Sequence, residues 1–171
     1  MRHFASQSDP GLLVGYAVRC GSPGPSCRKR ELTLSVYLRH MVIYEWRGSF
    51  ASDEVERLHA AGFGRDADYG YDWLGQVKSH SLGWVCARRE RELVGWVNVI
   101  WDGFSHAFIL DTVVSANMGR RGIGASLVRA ATEAAREAGC EWLHVDFEDH
   151  LKSFYIDACG FTSTNGGLVA F

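Results

Sequence analysis

Residues 109–131 read ILDTVVSANMGRRGIGASLVRAA, and their order is strand, turn, helix. The run HAFILDTVV that leads into the turn is apolar nearly throughout, as expected of a strand buried on both faces. Beyond it, Leu127, Val128, Ala131, Ala134, Ala135 and Ala138 recur at helical spacing, and Gly139 stops the helix. Gly122 and Gly124 remove two Cβ atoms where the chain enters that helix, so backbone there can approach a ligand closely. The first amides of a helix have no partner within it. With the helix dipole they form an anion site. Arg120 and Arg121 add positive charge at the same place, and a phosphate or pyrophosphate is the expected guest.

Downstream, EWLHVDFE alternates, with Leu143, Val145 and Phe147 on one side and Trp142, His144, Asp146 and Glu148 on the other, and reads as a strand. Residues 149–159 read as a short helix capped by Asp149, Gly160 ends it, and FTSTNGGLVAF reads as a final strand. Upstream, MVIYEWRGSF reads as a strand, and SDEVERLHAAGFG as a short helix capped at Ser52 and stopped by glycine. GRDADYGYD is a polar and aromatic loop, and DWLGQVKSH a second short helix. SLGWVCARRE and ELVGWVNVIWDG, joined by Glu90 and Arg91, read as an antiparallel hairpin. There is no internal repeat.

The chain has 171 residues, 47% hydrophobic and 22% charged, with a net charge of −2. That excludes a disordered chain, a collagen or a coiled coil. No apolar run approaches the ~20 residues that span a bilayer, and a near-neutral charge gives no case for a nucleic-acid binder. Residues 1–40 carry six Lys/Arg against two Asp/Glu, a balance of +4, whereas 41–171 carry twelve against eighteen, a balance of −6, and all six Trp. Within 1–40, GSPGPSCRKR is linker chemistry. The folded domain is therefore expected over 41–171, preceded by a basic, loosely held extension over 1–40. Five cysteines, at 20, 27, 86, 140 and 159, show none of the spacings of a zinc site, so no metal is expected. Free thiols and the absence of a secretory signal point to a cytoplasmic protein.

Three phosphate-binding patterns compete for the turn. A P-loop needs a lysine after its last glycine, and none follows Gly124. A dinucleotide fold needs GxGxxG and an acid about 20 residues on. Gly122, Gly124 and Asp146 fit, but the third glycine is Leu127, strands precede the motif, and only 25 residues follow Asp146. The third pattern fits best. GRRGIGA opening a long helix, EWLHVDFE after it and FYIDACGF at the following corner resemble the GNAT family of acetyl-CoA-dependent N-acetyltransferases, and the upstream order of strand, two helices, hairpin and strand is similar to the family's. The resemblance covers 41–171.

That resemblance implies an α+β fold, a mixed and mostly antiparallel sheet flanked by helices, with central parallel strands splayed apart. It implies acetyl-CoA as cosubstrate and direct attack by the primary amine of a small molecule or peptide in a ternary complex. Homodimerisation is a habit of the family. The pyrophosphate falls to Gly119, Arg120, Arg121, Gly122, Ile123, Gly124 and Ala125, although the family's Arg/Gln position is Gly119 here. The pantetheine arm pairs with the strand edge at Val113, Val114 and Ser115, and the Val114 amide faces the thioester carbonyl. Asp111, Glu148, His150 and His144 are the candidates for taking a proton from the acceptor. Tyr155 is the candidate for protonating the thiolate, but it stands five residues before Gly160 where the family has four. Trp46, Tyr69, Tyr71 and Trp73 are candidates for an acceptor pocket and equally for core. A non-catalytic acyl-CoA-binding domain, supported by the Tyr155 offset, and a dinucleotide-binding oxidoreductase remain as alternatives.

Overall fold

The computed structural model describes residues 41–171. The expected extension over 1–40, with Cys20 and Cys27, lies outside the described residues. Five strands form one sheet in the order β1-β2-β3-β4-β5. They are β1 (Val42–Trp46), β2 (Ser81–Arg89), β3 (Glu92–Trp101), β4 (His106–Val114) and β5 (Trp142–Val145). The first four run antiparallel to their neighbours, and β5 lies parallel to β4. The hairpin between β2 and β3 turns at Glu90 and Arg91, as the sequence implies, with Glu90 at φ +56. That left-handed residue matches the twist of a tight hairpin.

Three α-helices flank the sheet: α1 (Ser52–Phe63), α2 (Trp73–His80) and α3 (Ile123–Glu137). On one face α3 buries Ile123, Leu127, Val128, Ala131 and Ala135 against Val85, Val97, Val99 and Ile109. On the other, Val55, Leu58, Trp73 and Val77 from α1 and α2 pack with Phe50, Trp96 and Val113. The sheet is thus a central layer with a separate apolar core on each side. Arg88 ties β2 to α1 through a bidentate pair with Glu54 at 2.8 and 2.9 Å.

Local chemistry differs from the sequence reading at four places. The cap of α1 is Ala51, whose amide donates to Glu54 Oε2 at 3.0 Å. Ser52, the expected cap, instead accepts from the Leu74 amide at 3.1 Å and pins the start of α2. Strand β5 is only four residues long. Residues 149–159 are not an α-helix capped by Asp149: a 3-10 turn (Asp149–Leu151) without a side-chain cap is followed by a π-helical turn (Ser153–Ala158). The final strand is absent, and 160–171 hold no regular element. The cause is the run TSTNGG, which supplies no alternating apolar face and carries two adjacent glycines.

Candidate active site

The ladder between β4 and β5 runs only from His106↔Trp142 to Ile109↔Val145. Beyond Ile109, β4 continues to Val114 without a β5 partner, so the two strands part and leave an opening. A bulge lies at this point. Leu110 faces Asn98 and Val113 faces Trp96, so Asp111 and Thr112 together oppose one residue of β3. Asp111 adopts φ +55, which bends β4. Past the bulge, the Ser115 amide donates to Val94 O at 2.8 Å on the β3 side. Alternation along a strand then turns the Val114 amide the other way, into the opening.

The chain next makes a 3-10 turn (Ala116–Met118) and reaches the glycine turn. Arg120 has φ +57 and Gly122 φ +76. Left-handed residues alternating with ordinary ones aim successive amides into one concavity. Among the described residues, none accepts a hydrogen bond from the amides of Arg120 to Ala125, and α3 starts with no side-chain cap. The two glycines serve different ends. At Gly122 a Cβ would meet nothing within 4 Å, so the backbone conformation alone requires glycine. At Gly124 a Cβ would lie 3.1 Å from Phe154 Cζ, so the space it vacates holds the protein's own ring rather than a ligand.

Phe154 belongs to the π-helical turn, where the Cys159 amide donates to Phe154 O, five residues back, at 3.0 Å. A π turn accommodates one residue more than an α turn. That is the extra residue between Tyr155 and Gly160. Tyr155 is buried, stacked on Phe147 at 5.0 Å and edge-on to Phe154 and Phe161. Burial pushes its phenol above the ordinary range, with the Thr112 hydroxyl acting in the opposite sense. Thr112 Oγ1 is buried and makes no hydrogen bond of good geometry with a described residue.

Asp111 looks to the other side of the sheet, where its Oδ1 is 3.2 Å from His59 Nε2 of α1. Behind His59 stands Arg65, whose Nη2 is 3.0 Å from His59 Nδ1 and whose guanidinium grips the fully buried Glu56 at 2.6 and 2.9 Å. Glu56 also accepts from the Asp68 amide and from Trp73 Nε1 at 2.8 Å. The Arg65 bond foremost, with these two, holds its carboxyl at about 2 despite burial. His59 did not stand out in the sequence, because it sits 52 residues from Asp111 in a helix whose pattern reads as ordinary.

The other candidates scatter. Glu148 and His150 pair with each other at 3.2 Å, both well exposed. His144 Nε2 lies 2.8 Å from His106 Nδ1, and its ring stacks on Phe108. Trp73 is core, Trp46 packs against the α3-side core, and Tyr69 and Tyr71 are exposed in the loop between α1 and α2. Cys159 packs against the core, and burial raises its thiol. Beside the glycine turn, a groove of about 260 Å³ runs between α3 and the π turn, lined among others by Ala125, Arg129, Arg136 and Cys159. Among the described residues, no group of three or more His, Cys, Asp or Glu is arranged to hold a metal, and no helix is long and apolar enough to cross a membrane.

Solved structures share this fold. An acetyltransferase of the GNAT family from Streptococcus pneumoniae superposes with a TM-score of 0.62 at 24% identity, covering 77% of this chain and 98% of its own. A glucosamine-6-phosphate N-acetyltransferase from Arabidopsis thaliana gives 0.62 at 16% identity, covering 75% and 98%. An aminoglycoside acetyltransferase from an uncultured soil metagenomic sample gives 0.62 at 20%, covering 76% and 94%. No match is found among curated proteins. The profile of the acetyltransferase (GNAT) family matches residues 42–161, a span that takes in the sheet, the opening, the glycine turn and the π turn. This chain belongs to the GNAT acetyltransferase family.

Proposed function

We propose that the protein moves the acetyl group of acetyl-CoA to a primary amine by direct attack in a ternary complex. The observation that carries this reading is the row of unpartnered amides from Arg120 to Ala125, beside the Val114 amide that faces the opening. The amides and the Arg120 and Arg121 cations fit a pyrophosphate, with Gly119 giving the chain its approach to the turn. Arg129 and Arg136 in the adjoining groove offer two more cations to the nucleotide end. The edge at Val113 to Ser115 fits an amide-bearing arm laid alongside it as an added strand. Acetyl-CoA supplies an activated acyl carbon. The rest of the chemistry is proton handling, for the balanced reaction takes an alkylammonium and acetyl-CoA to an N-acetylamine, a free thiol and one proton.

In this reading Asp111 takes the first proton from the ammonium and releases it to solvent, leaving the neutral amine that attacks. The Val114 amide stabilises negative charge developing on the acyl oxygen. As the carbon–nitrogen bond forms and the carbon–sulfur bond breaks, Tyr155 gives its proton to the thiolate and recovers one from the nitrogen by way of solvent. A phenol is protonated at neutral pH, as a proton donor must be, and burial moves this one further in that direction. The exposed Glu148–His150 pair and His144, engaged with His106, are less well placed for the first step.

The −6 balance of residues 41–171 favours a cationic acceptor. The aminoglycoside and glucosamine-6-phosphate acetyltransferases of the same fold are named for amine-bearing substrates. Free Cys86, Cys140 and Cys159 suit a reducing cytoplasm. Calorimetry with acetyl-CoA tests the cofactor site: Arg120→Glu with Arg121→Glu, both exposed, is expected to weaken binding at least tenfold without loss of fold. Unchanged affinity would remove the pyrophosphate from this turn. Thiol release across a panel of amines tests the transfer itself, and binding without release would make the protein an acyl-CoA-binding domain.

A further inference from the structure

The bulge in β4 does more than bend the strand, because it delivers Asp111 to His59, and His59 is held from behind. Arg65 has only donors, so the His59 Nδ1 that it meets at 3.0 Å must offer a lone pair. The imidazole proton then sits on Nε2 and is donated to Asp111 Oδ1, 3.2 Å away. Arg65 is itself fixed by two bonds to the buried Glu56, which the Trp73 indole and the Asp68 amide lock in turn. The ring stacks on Phe63 at 4.3 Å and leans on Trp73 at 4.8 Å, so it cannot swing away. Helix α1 is pressed onto β4 so closely that a Cβ at Gly62 would overlap Val113. Every bond in the chain Glu56–Arg65–His59–Asp111 therefore has one direction. Its free end is Asp111 Oδ2, which makes no hydrogen bond to a described residue on a side chain that keeps 26% exposure.

We infer that His59 is a positioning residue for acetyl transfer: it fixes the Asp111 carboxylate so that its free oxygen meets the ammonium of the acceptor beside the exposed Tyr69 and Tyr71 loop. This rests on the acetyltransferase reading and on Asp111 as the proton acceptor. A merely structural histidine, filling space between Phe63 and Trp73, would be replaceable by any side chain of similar bulk.

The test uses the full chain with acetyl-CoA and an amine found active in the panel. Asp111→Asn is expected to abolish turnover. His59→Leu keeps the bulk and is expected to lower kcat about 100-fold, the scale of losing one well-oriented group, with KM for acetyl-CoA unchanged within about twofold. His59→Gln restores an N–H toward Asp111 and is expected to return kcat to within about fivefold of wild type. Full activity in His59→Leu, or equal loss in Leu and Gln variants that melt like wild type, overturns the inference while leaving acetyl transfer intact. Full activity in Asp111→Asn removes both the base and its support. A wild type that binds acetyl-CoA but acetylates no amine overturns the acetyltransferase reading, and the role of His59 with it. Should the leucine variant fail to fold, nitrogen-15 spectra of the unmodified protein decide the geometry: an Nε2–H tautomer for His59 is expected, and an Nδ1–H tautomer overturns the relay.

Discussion

Glu56 is a carboxylate with no exposed surface, and it survives there because every lone pair that faces the protein has a donor. The Arg65 bond, above all, holds this carboxyl at about 2, well below its ordinary 4.5. A depressed carboxyl contributes stability that is present above 4.5 and lost as pH falls from 4.5 toward 2. The contribution is on the order of 3 kcal/mol. Urea unfolding at pH 7 and at pH 2.5 is expected to show most of that loss in wild type. Glu56→Gln is expected to be less stable at pH 7 and to lose correspondingly less between the two pH values; an identical slope in both proteins would deny Glu56 the role. Tyr155 calls for the opposite substitution logic. Phe keeps its stack on Phe147 and removes only the hydroxyl. Tyr155→Phe is expected to lower kcat about 100-fold, with acetyl-CoA affinity and Tm nearly unchanged. Full activity would return Tyr155 to packing.

Among the elements, the glycine turn and the π turn show what one residue of spacing can and cannot reveal. GRRGIGA followed by a helical apolar period was legible, because glycine, charge and periodicity all act locally. The offset of Tyr155 was legible as a misfit, but its resolution was not: the π turn is settled by how Phe154, Tyr155 and Phe161 pack on α3 and on the sheet. The bulge at Asp111 was equally hidden, since HAFILDTVV carries no glycine to mark it and only pairing with β3 exposes the extra residue. His59 was hidden for the same reason, its partner being remote in sequence. FTSTNGGLVAF reads as a strand in the sequence, yet Leu168 and Val169 lie exposed. At the turn itself, Gly122→Ala isolates the backbone: its Cβ meets no atom, so the cost is that of φ +76. A loss of about 1 kcal/mol in unfolding free energy is expected, together with weaker acetyl-CoA binding. A variant as stable as wild type would show that the turn relaxes to a conformation open to any residue.

At the scale of the molecule the sheet acts as a partition. The bulge residues lie next to each other, yet Asp111 turns toward α1 and Thr112 toward Tyr155, so one strand serves two faces. In the proposed reaction, the opening between β4 and β5 is where a group held on the α3 side would meet an amine arriving on the α1 side. Among the described residues, both apolar cores and all five strands are built from residues between Val42 and Phe161. That self-sufficiency predicts that a fragment of residues 41–171 folds by itself. It is expected to unfold cooperatively in urea, with a midpoint close to that of the full chain, and to bind acetyl-CoA. A fragment that aggregates or melts without cooperativity would move the domain boundary upstream. Affinity adds a second test, because residues 1–40 carry a balance of +4, including Arg28, Lys29 and Arg30, and acetyl-CoA, the proposed cosubstrate, is an anion. If the extension plays no part in binding, fragment and full chain share one dependence on salt. If its cations contribute, the full chain binds more tightly at low salt and the difference vanishes as ionic strength rises.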